Sequence, residues 1–197
     1  MNSAFWDKKY DKQEFHYGLE PNRFIALMLE SRPPGRMLLV GAGEGRNAVY
    51  AASLGWEVHA IDISSTARDK ALNLAASKGL KIQYTLEDAS KFESDYKFDA
   101  IALFFAHFPP EIRQSIHQKL ANYLKPVGEL WLEAFAPGQL EFTSGGPKAV
   151  EMLYKPETLQ KDFEALQIRQ LEVKRYELNE GEGHRGLGEV IRLRAVR

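Results

Sequence analysis

The 197-residue sequence predicts an α/β fold: an open, seven-stranded, mostly parallel sheet with helices on both faces and a C-terminal antiparallel hairpin. Three observations carry this. Short apolar runs alternate with amphipathic stretches between Met37 and Phe135. A glycine-rich turn, Gly41 to Gly45, follows the first of these runs. The last two extended stretches are joined by a segment too short for a crossover helix.

Taken in order, residues 20 to 30 read as a helix, with Pro21 near its start and Phe24, Leu27 and Met28 facing inward. Arg36 to Gly41 is a buried strand ending in glycine. Asn47 to Leu54 is an alanine-rich helix stopped by Gly55. Trp56 to Asp62 is the second strand, and Ser64 caps a helix with Ala67, Ala71, Leu74 and Ala75 on one face. Leu80 to Leu86 is the third strand. Phe98 to Phe105 is the fourth, apolar enough to be covered on both sides. Pro109 and Pro110 open a helix with Ile112, Ile116, Leu120 and Leu124 on one face, and Glu129 to Phe135 is the fifth strand. Pro137 to Pro147 reads as a loop and Pro156 to Phe163 as a short helix. Leu166 to Leu178 and Glu189 to Val196 form the hairpin, with Asn179 to Gly188 as its loop.

Composition narrows the function. Hydrophobic residues make up 44% and charged residues 27%, an ordinary globular mixture. The 26 basic and 27 acidic side chains give a net charge of -1, which offers no attraction for nucleic acid or an anionic membrane. There are no cysteines, so disulfides, thiolate catalysis and thiolate zinc sites are out. No histidine pair has the spacing of a helical metal face, and no metal is expected. The N-terminus has no secretory pattern, and no apolar run approaches the ~20 residues of a membrane span. The expectation is a cytoplasmic single domain, monomeric or weakly dimeric. Residues 1–35 form an arm and helix over the ligand site, 36–136 the ligand-binding core, and 137–197 the substrate-side loops and hairpin.

The glycine turn lets the backbone bend sharply and approach a ligand closely. Asp62, at the end of the second strand, can accept both hydrogen bonds of a ribose diol. Both NAD and S-adenosylmethionine (SAM) fit so far. A dinucleotide site wants Gly or Ala at position 46 and a pyrophosphate on the helix N-terminus. Here Arg46 stands at that position, and the charge of Glu44 repels a pyrophosphate but suits a cationic ammonium. Asp88 adds an acceptor after the third strand, where an adenine amino group would lie. The alternative is a tight turn with Asp62 and Asp88 as helix caps.

The run Val40 to Ser64 resembles the first two motifs of the class I SAM-dependent methyltransferases, which have a Rossmann-like fold. Glu44 to Asn47 is most similar to the TehB-like branch, the tellurite-resistance methyltransferases and their small relatives. Trp6-Asp7, Tyr17-Gly18, Pro21-Asn22, Leu124-Lys125-Pro126 and Glu133 to Pro137 resemble that branch too. Val127 replaces the glycine more frequent after that proline. The resemblance implies that Gly41, Ala42 and Gly43 meet the methionyl part of SAM, Asp62 the ribose, and Asp88 with Ala89 the adenine. Glu44, Arg46 and Asn47 would order the loop or reach the methionyl end. Ile63 would pack on the adenine, Phe104 would line the site, and Tyr17 would close over the cofactor.

The acceptor is expected at the carboxyl ends of the strands. His107 is the candidate general base, weighed against a histidine that positions ligands or simply ends a strand. Glu133, a carboxylate in an apolar strand, is the second catalytic candidate, weighed against a pairing with Arg or Lys. Residues 137–148 and 179–188 are candidate lids, and His184 in the latter reads as a solvated loop histidine. Phe104 and Phe105 read mainly as core. The expected function is SAM-dependent methyl transfer to a small acceptor, a chalcogen oxyanion such as tellurite or selenite, or a small thiol. The rivals are a regulatory module that binds SAM or its demethylated product without turnover, and an NAD-dependent reductase.

Overall fold

The structure, a computed structural model, describes residues 2–197. Two apolar faces on each central strand dictate the layering. In β1 (Arg36–Val40), Met37 and Leu39 face one way while Leu38 and Val40 face the other. The first face packs on α2 (Arg23–Glu30) through Phe24, Ile25 and Leu29, and on α3 (Arg46–Ser53) through Ala48 and Ala51. The second packs on α5 (Pro110–Ala121) through Ile116 and Leu120, and on α6 (Pro156–Asp162) through Leu159. Helices therefore cover both faces of the sheet.

The remaining strands are β2 (Glu57–Asp62), β3 (Gln83–Leu86), β4 (Phe98–Phe104), β5 (Leu124–Phe135), β6 (Gln167–Glu180) and β7 (His184–Val196). They form one seven-stranded sheet in the order β3-β2-β1-β4-β5-β7-β6. Strands β1 to β5 run parallel, and β7 is antiparallel to both β5 and β6. The order reverses at β1, between β2 and β4, which opens a crevice at the carboxyl ends of these strands. α4 (Ser65–Ser77) starts where Ser64 Oγ accepts from Ala67 N at 3.1 Å. Gly45, at φ +85°, lets α3 approach α4, because a Cβ there would lie 2.5 Å from the Ala71 Cβ.

α1 (Ser3–Tyr10), within the N-terminal arm, is a helix packed against α4. Three local expectations are corrected. β3 begins at Gln83, so residues 80–82 lie outside the strand. β5 begins at Leu124, and its pairing with β4 jumps register between Phe98 and Ala100 around the Pro126 turn. The expected loop 179–188 is mostly strand. Pairing of β6 with β7 runs to Glu180↔His184, leaving only residues 181–183 as the turn. No helix among the described residues is long and apolar enough to cross a membrane.

Candidate active site

The crevice at the carboxyl ends is closed above by the N-terminal arm, forming a cavity of about 910 Å³ including its mouth. Of the residues singled out as site residues, all but Asp88 and Glu133 line it. Trp6, Tyr10 and Tyr17 of the arm cover one side, and Phe105, His107 and His184 line another part.

The glycine turn is held by its neighbours. Asp62 accepts from Gly43 N at 2.9 Å and Ser64 N at 3.0 Å, and Tyr84 donates its hydroxyl to Gly43 O at 2.7 Å. Burial pushes the Asp62 carboxyl up, and those backbone donors oppose it. Gly43 sits at φ +54° with Tyr10 Oη 3.1 Å from where a Cβ would be, so the turn is both left-handed and crowded. A backbone cradle, a half-buried carboxylate at the end of β2, and Ile63 and Ala89 beside it fit a nucleoside. Tyr10 and Tyr17 supply an aromatic wall.

Glu44, Arg46 and Asn47 have protein partners of their own. Glu44 accepts from His16 N at 2.7 Å and Tyr17 N at 3.4 Å, and its other oxygen pairs with Lys70 at 2.5 Å. Lys70 also donates to the carbonyls of Lys12 and Glu14, at 2.9 and 2.8 Å. Glu44 thus anchors the arm, and Lys70 offsets the charge that was expected to meet an ammonium group. Asn47 Oδ1 accepts from Asn22 N at 2.9 Å. Arg46 donates to Glu20 O at 3.2 Å and pairs with Glu180 at 2.7 Å.

Three acidic and basic residues move from their expected places. Asp88 lies outside the cavity lining and accepts from Ser90 N at 2.9 Å, as a turn cap does, while Glu87 and Ala89 line the cavity. Glu133 is fully buried and away from the cavity. It pairs with Arg192 and accepts from Asn22 Nδ2 at 2.5 Å and Tyr176 OH at 3.0 Å. That is the pairing alternative, and it removes Glu133 from the catalytic candidates. His107 lines the cavity but has no free ring nitrogen: Nδ1 donates to Met152 O at 2.8 Å, and Nε2 accepts from Phe135 N at 3.2 Å. Burial holds its imidazole down at about 4. His107 is therefore a neutral wall residue, and the general-base assignment is withdrawn.

His184 is the residue that sequence reasoning misjudged most. It is buried, only 3% exposed, and lines the cavity. Its ring lies 4.2 Å from Phe105, 4.5 Å from Tyr17 and 5.1 Å from Phe135, between ring centroids. Phe105 holds φ +54°, a conformation that bulky residues rarely adopt, which directs its ring to this wall. His184 Nδ1 donates to Glu180 at 3.2 Å, and Nε2 has no hydrogen-bond partner among the described residues. Burial pushes the imidazole down and Glu180 opposes it. Burial works against the Glu180 charge too, but His184 and Arg46 outweigh it and hold that carboxyl down at about 2. The glycines at 181 and 183 flanking this end of the ribbon were the available sequence clue.

A doubly wound sheet with a glycine cradle and a ribose-type carboxylate at its switch point defines the class of nucleoside-cofactor folds. Residues 37–128 match the family described as "Methyltransferase domain". Residues 37–128 are thus a methyltransferase domain, and SAM is the cofactor this indicates. It is 32% identical over 153 residues to "Probable thiol methyltransferase 2" of Arabidopsis thaliana, covering 74% of this chain and 66% of that relative. The chain thus spans just under two thirds of that relative's length. Among solved structures, one titled "Conversion of a Disulfide Bond into a Thioacetal Group during Echinomycin Biosynthesis" superposes with a TM-score of 0.81 at 18% identity, covering 100% of this chain and 93% of that one. TehB from Haemophilus influenzae superposes with a TM-score of 0.73 at 16% identity, covering 99% of this chain and 66% of that one. At such identities these two show the fold alone.

Proposed function

We propose that this protein methylates a small sulfur nucleophile, a free thiol or hydrosulfide, with His184 as the general base. The observation that carries this is the partner-free Nε2 of a buried imidazole on the cavity wall. A relative named as a thiol methyltransferase supports the acceptor class. Tellurite or selenite is the second acceptor to screen, on the TehB-like motif at Glu44 to Asn47.

Bound SAM supplies a methyl carbon on a positively charged sulfur, and the acceptor lone pair forms the new bond as that carbon–sulfur bond breaks. The chain's residues prepare the rest. Asp62 and the Gly41–Gly43 backbone would hold the nucleoside and methionyl parts. Tyr17 and Phe105, the latter backed by Phe135, make an apolar wall that excludes water and accepts a polarisable sulfur. His184 Nε2 takes the thiol proton, which these apolar surroundings would otherwise keep on sulfur. The aromatic closure leaves little space for a macromolecular acceptor, in keeping with the balanced charge. We read the protein as cytoplasmic and as a monomer or weak homodimer.

The test is calorimetric titration with SAM, its demethylated product and NADH, followed by transfer of a labelled methyl group to hydrosulfide, 2-mercaptoethanol and tellurite. Binding of the two adenosyl ligands with labelled thioether formation is expected. Binding without turnover of any acceptor would identify a regulatory module, and binding of NADH alone would overturn the cofactor assignment.

A further inference from the structure

The proposed base does not stand alone. Glu180 Oε2 accepts both from His184 Nδ1, at 3.2 Å, and from Arg46 Nη2, at 2.7 Å. Its Oε1 accepts from Asn22 Nδ2 at 2.9 Å. Asn22 is itself fully buried and fixed at both ends. Its Oδ1 caps α2 by accepting from Phe24 N at 2.8 Å, and its N–H donates to Asn47. Three elements therefore converge on one carboxylate: α3 through Arg46, the start of α2 through Asn22, and β7 through His184.

A carboxylate that only accepts forces a proton onto the imidazole nitrogen facing it. We propose that Glu180 is the positioning residue of this site: it holds His184 in the Nδ1–H tautomer, leaving the Nε2 lone pair toward the acceptor, while Arg46 and Asn22 fix Glu180 in place. The proposal rests on the base reading above. Its logic is that of a carboxylate orienting a catalytic imidazole, in which the carboxylate stays ionised and never takes the proton. It also gives Arg46 a role. Arg46 belongs to the cofactor turn, yet its guanidinium serves the acceptor side, so the two halves of the site share one ion pair.

The charged groups around His184 are Glu180 from β6, Arg46 from α3, Lys9 from α1 and the neutral His107 from the end of β4. Among the described residues Glu180 is the one carboxylate hydrogen-bonded to the ring, where it opposes the burial that favours the neutral imidazole.

The test uses Glu180→Gln and His184→Gln in the full chain, with two readouts. The first is imidazole NMR titration of His184, which needs no acceptor. The wild type is expected to show the Nδ1–H tautomer. Glu180→Gln removes an anion that favours the protonated ring, so its titration should move down by about one pH unit or more. The second is methyl transfer to 2-mercaptoethanol, whose sulfur is protonated at neutral pH, and to thiocyanate, which is already an anion. Glu180→Gln should lose tenfold or more in kcat with the thiol and less than threefold with thiocyanate. An unmoved titration and tautomer in Glu180→Gln would overturn the positioning role, even if His184→Gln is impaired and the base reading stands. Full thiol activity in His184→Gln would sink the base reading itself. Equal losses with both acceptors would assign Glu180 a purely structural role.

Discussion

Replacing Glu133 with alanine is expected to destabilise the fold far more than it weakens SAM binding. The carboxylate is fully buried and gathers Arg192, Asn22 and Tyr176. The Arg192 guanidinium lies between the rings of Phe24 and Tyr176, 4.9 and 5.1 Å from their centroids, so it cannot move to water without giving up both. Truncating one partner of such a pair leaves a buried charge without its counter-ion, which costs about 3–5 kcal/mol. For a chain of this length each kcal/mol moves the melting temperature by about 2–4 °C, so a drop of about 6–20 °C is expected. Glu133→Gln keeps the volume and an acceptor for Asn22 but loses the charge, at about 1.5–3 kcal/mol. Adding Arg192→Leu to Glu133→Ala removes the orphaned cation and should recover part of the loss. Scanning calorimetry of the three variants, with SAM titrated well below each melt, gives the comparison. A Glu133→Ala protein that melts with the wild type would refute the reasoning, and the buried cluster would then not be the anchor described.

Further predictions follow from other positions. Gly43→Val adds left-handed strain and crowds Tyr10 Oη, so the dissociation constant for SAM should rise at least about tenfold by calorimetric titration, which is ~1.4 kcal/mol. The folded His107 imidazole is held down at about 4 against an ordinary 6.5, so only the unfolded chain binds that proton in between. Its contribution is intact above 6.5, is lost as pH falls toward 4, and reaches about 3 kcal/mol; His107→Asn should flatten the urea midpoint between pH 7 and pH 5. Lys70→Met releases Glu44 and the carbonyls of Lys12 and Glu14, so amide exchange in residues 11–18 should speed up at least about tenfold and the demethylated cofactor should dissociate faster. Val127 is 75% exposed at φ +59°, so Val127→Gly should relieve about 1–2 kcal/mol of strain against about 0.5–1 of added chain entropy, a small net gain in the melt.

The legible parts of this protein are those written in short stretches of chain. Met37 to Val40 and Ala100 to Leu103 are apolar on both faces, and a strand covered on both sides is the simple outcome. The Gly41–Gly45 turn carries its ligand chemistry directly after β1, whose last residue, Val40, pairs with Ile61 beside Asp62. What could not be read were side chains whose role depends on distant neighbours. Glu44 looked like a cation receptor because Lys70 is far away in sequence. His107 looked like a base because nothing local shows that Met152 O and Phe135 N occupy both of its nitrogens. His184 looked solvated because the glycines around it are turn formers. Gly188 is instead a strand residue against a crowded interior, where a Cβ would meet Leu178 at 2.7 Å. Asn22 carried two meanings at once, a helix cap and the bridge between Glu133 and Glu180, and only the first is local.

The last two strands are longer than the sheet they complete. β5 accompanies β7 only as far as Phe135↔Val190, whereas β6 stays with it to Glu180↔His184. Past Val190 the two strands continue as a ribbon that leans over the cavity and delivers His184 from outside the nucleotide-binding half. Substitutions in this ribbon lie apart from Gly41, Gly43 and Asp62, so they change one wall of the cavity without touching the glycine turn. The ribbon is tied to the rest of the fold by Arg46–Glu180, by Asn22–Glu180 and by Gly183 N donating to His16 O, and any new ribbon must still meet these links.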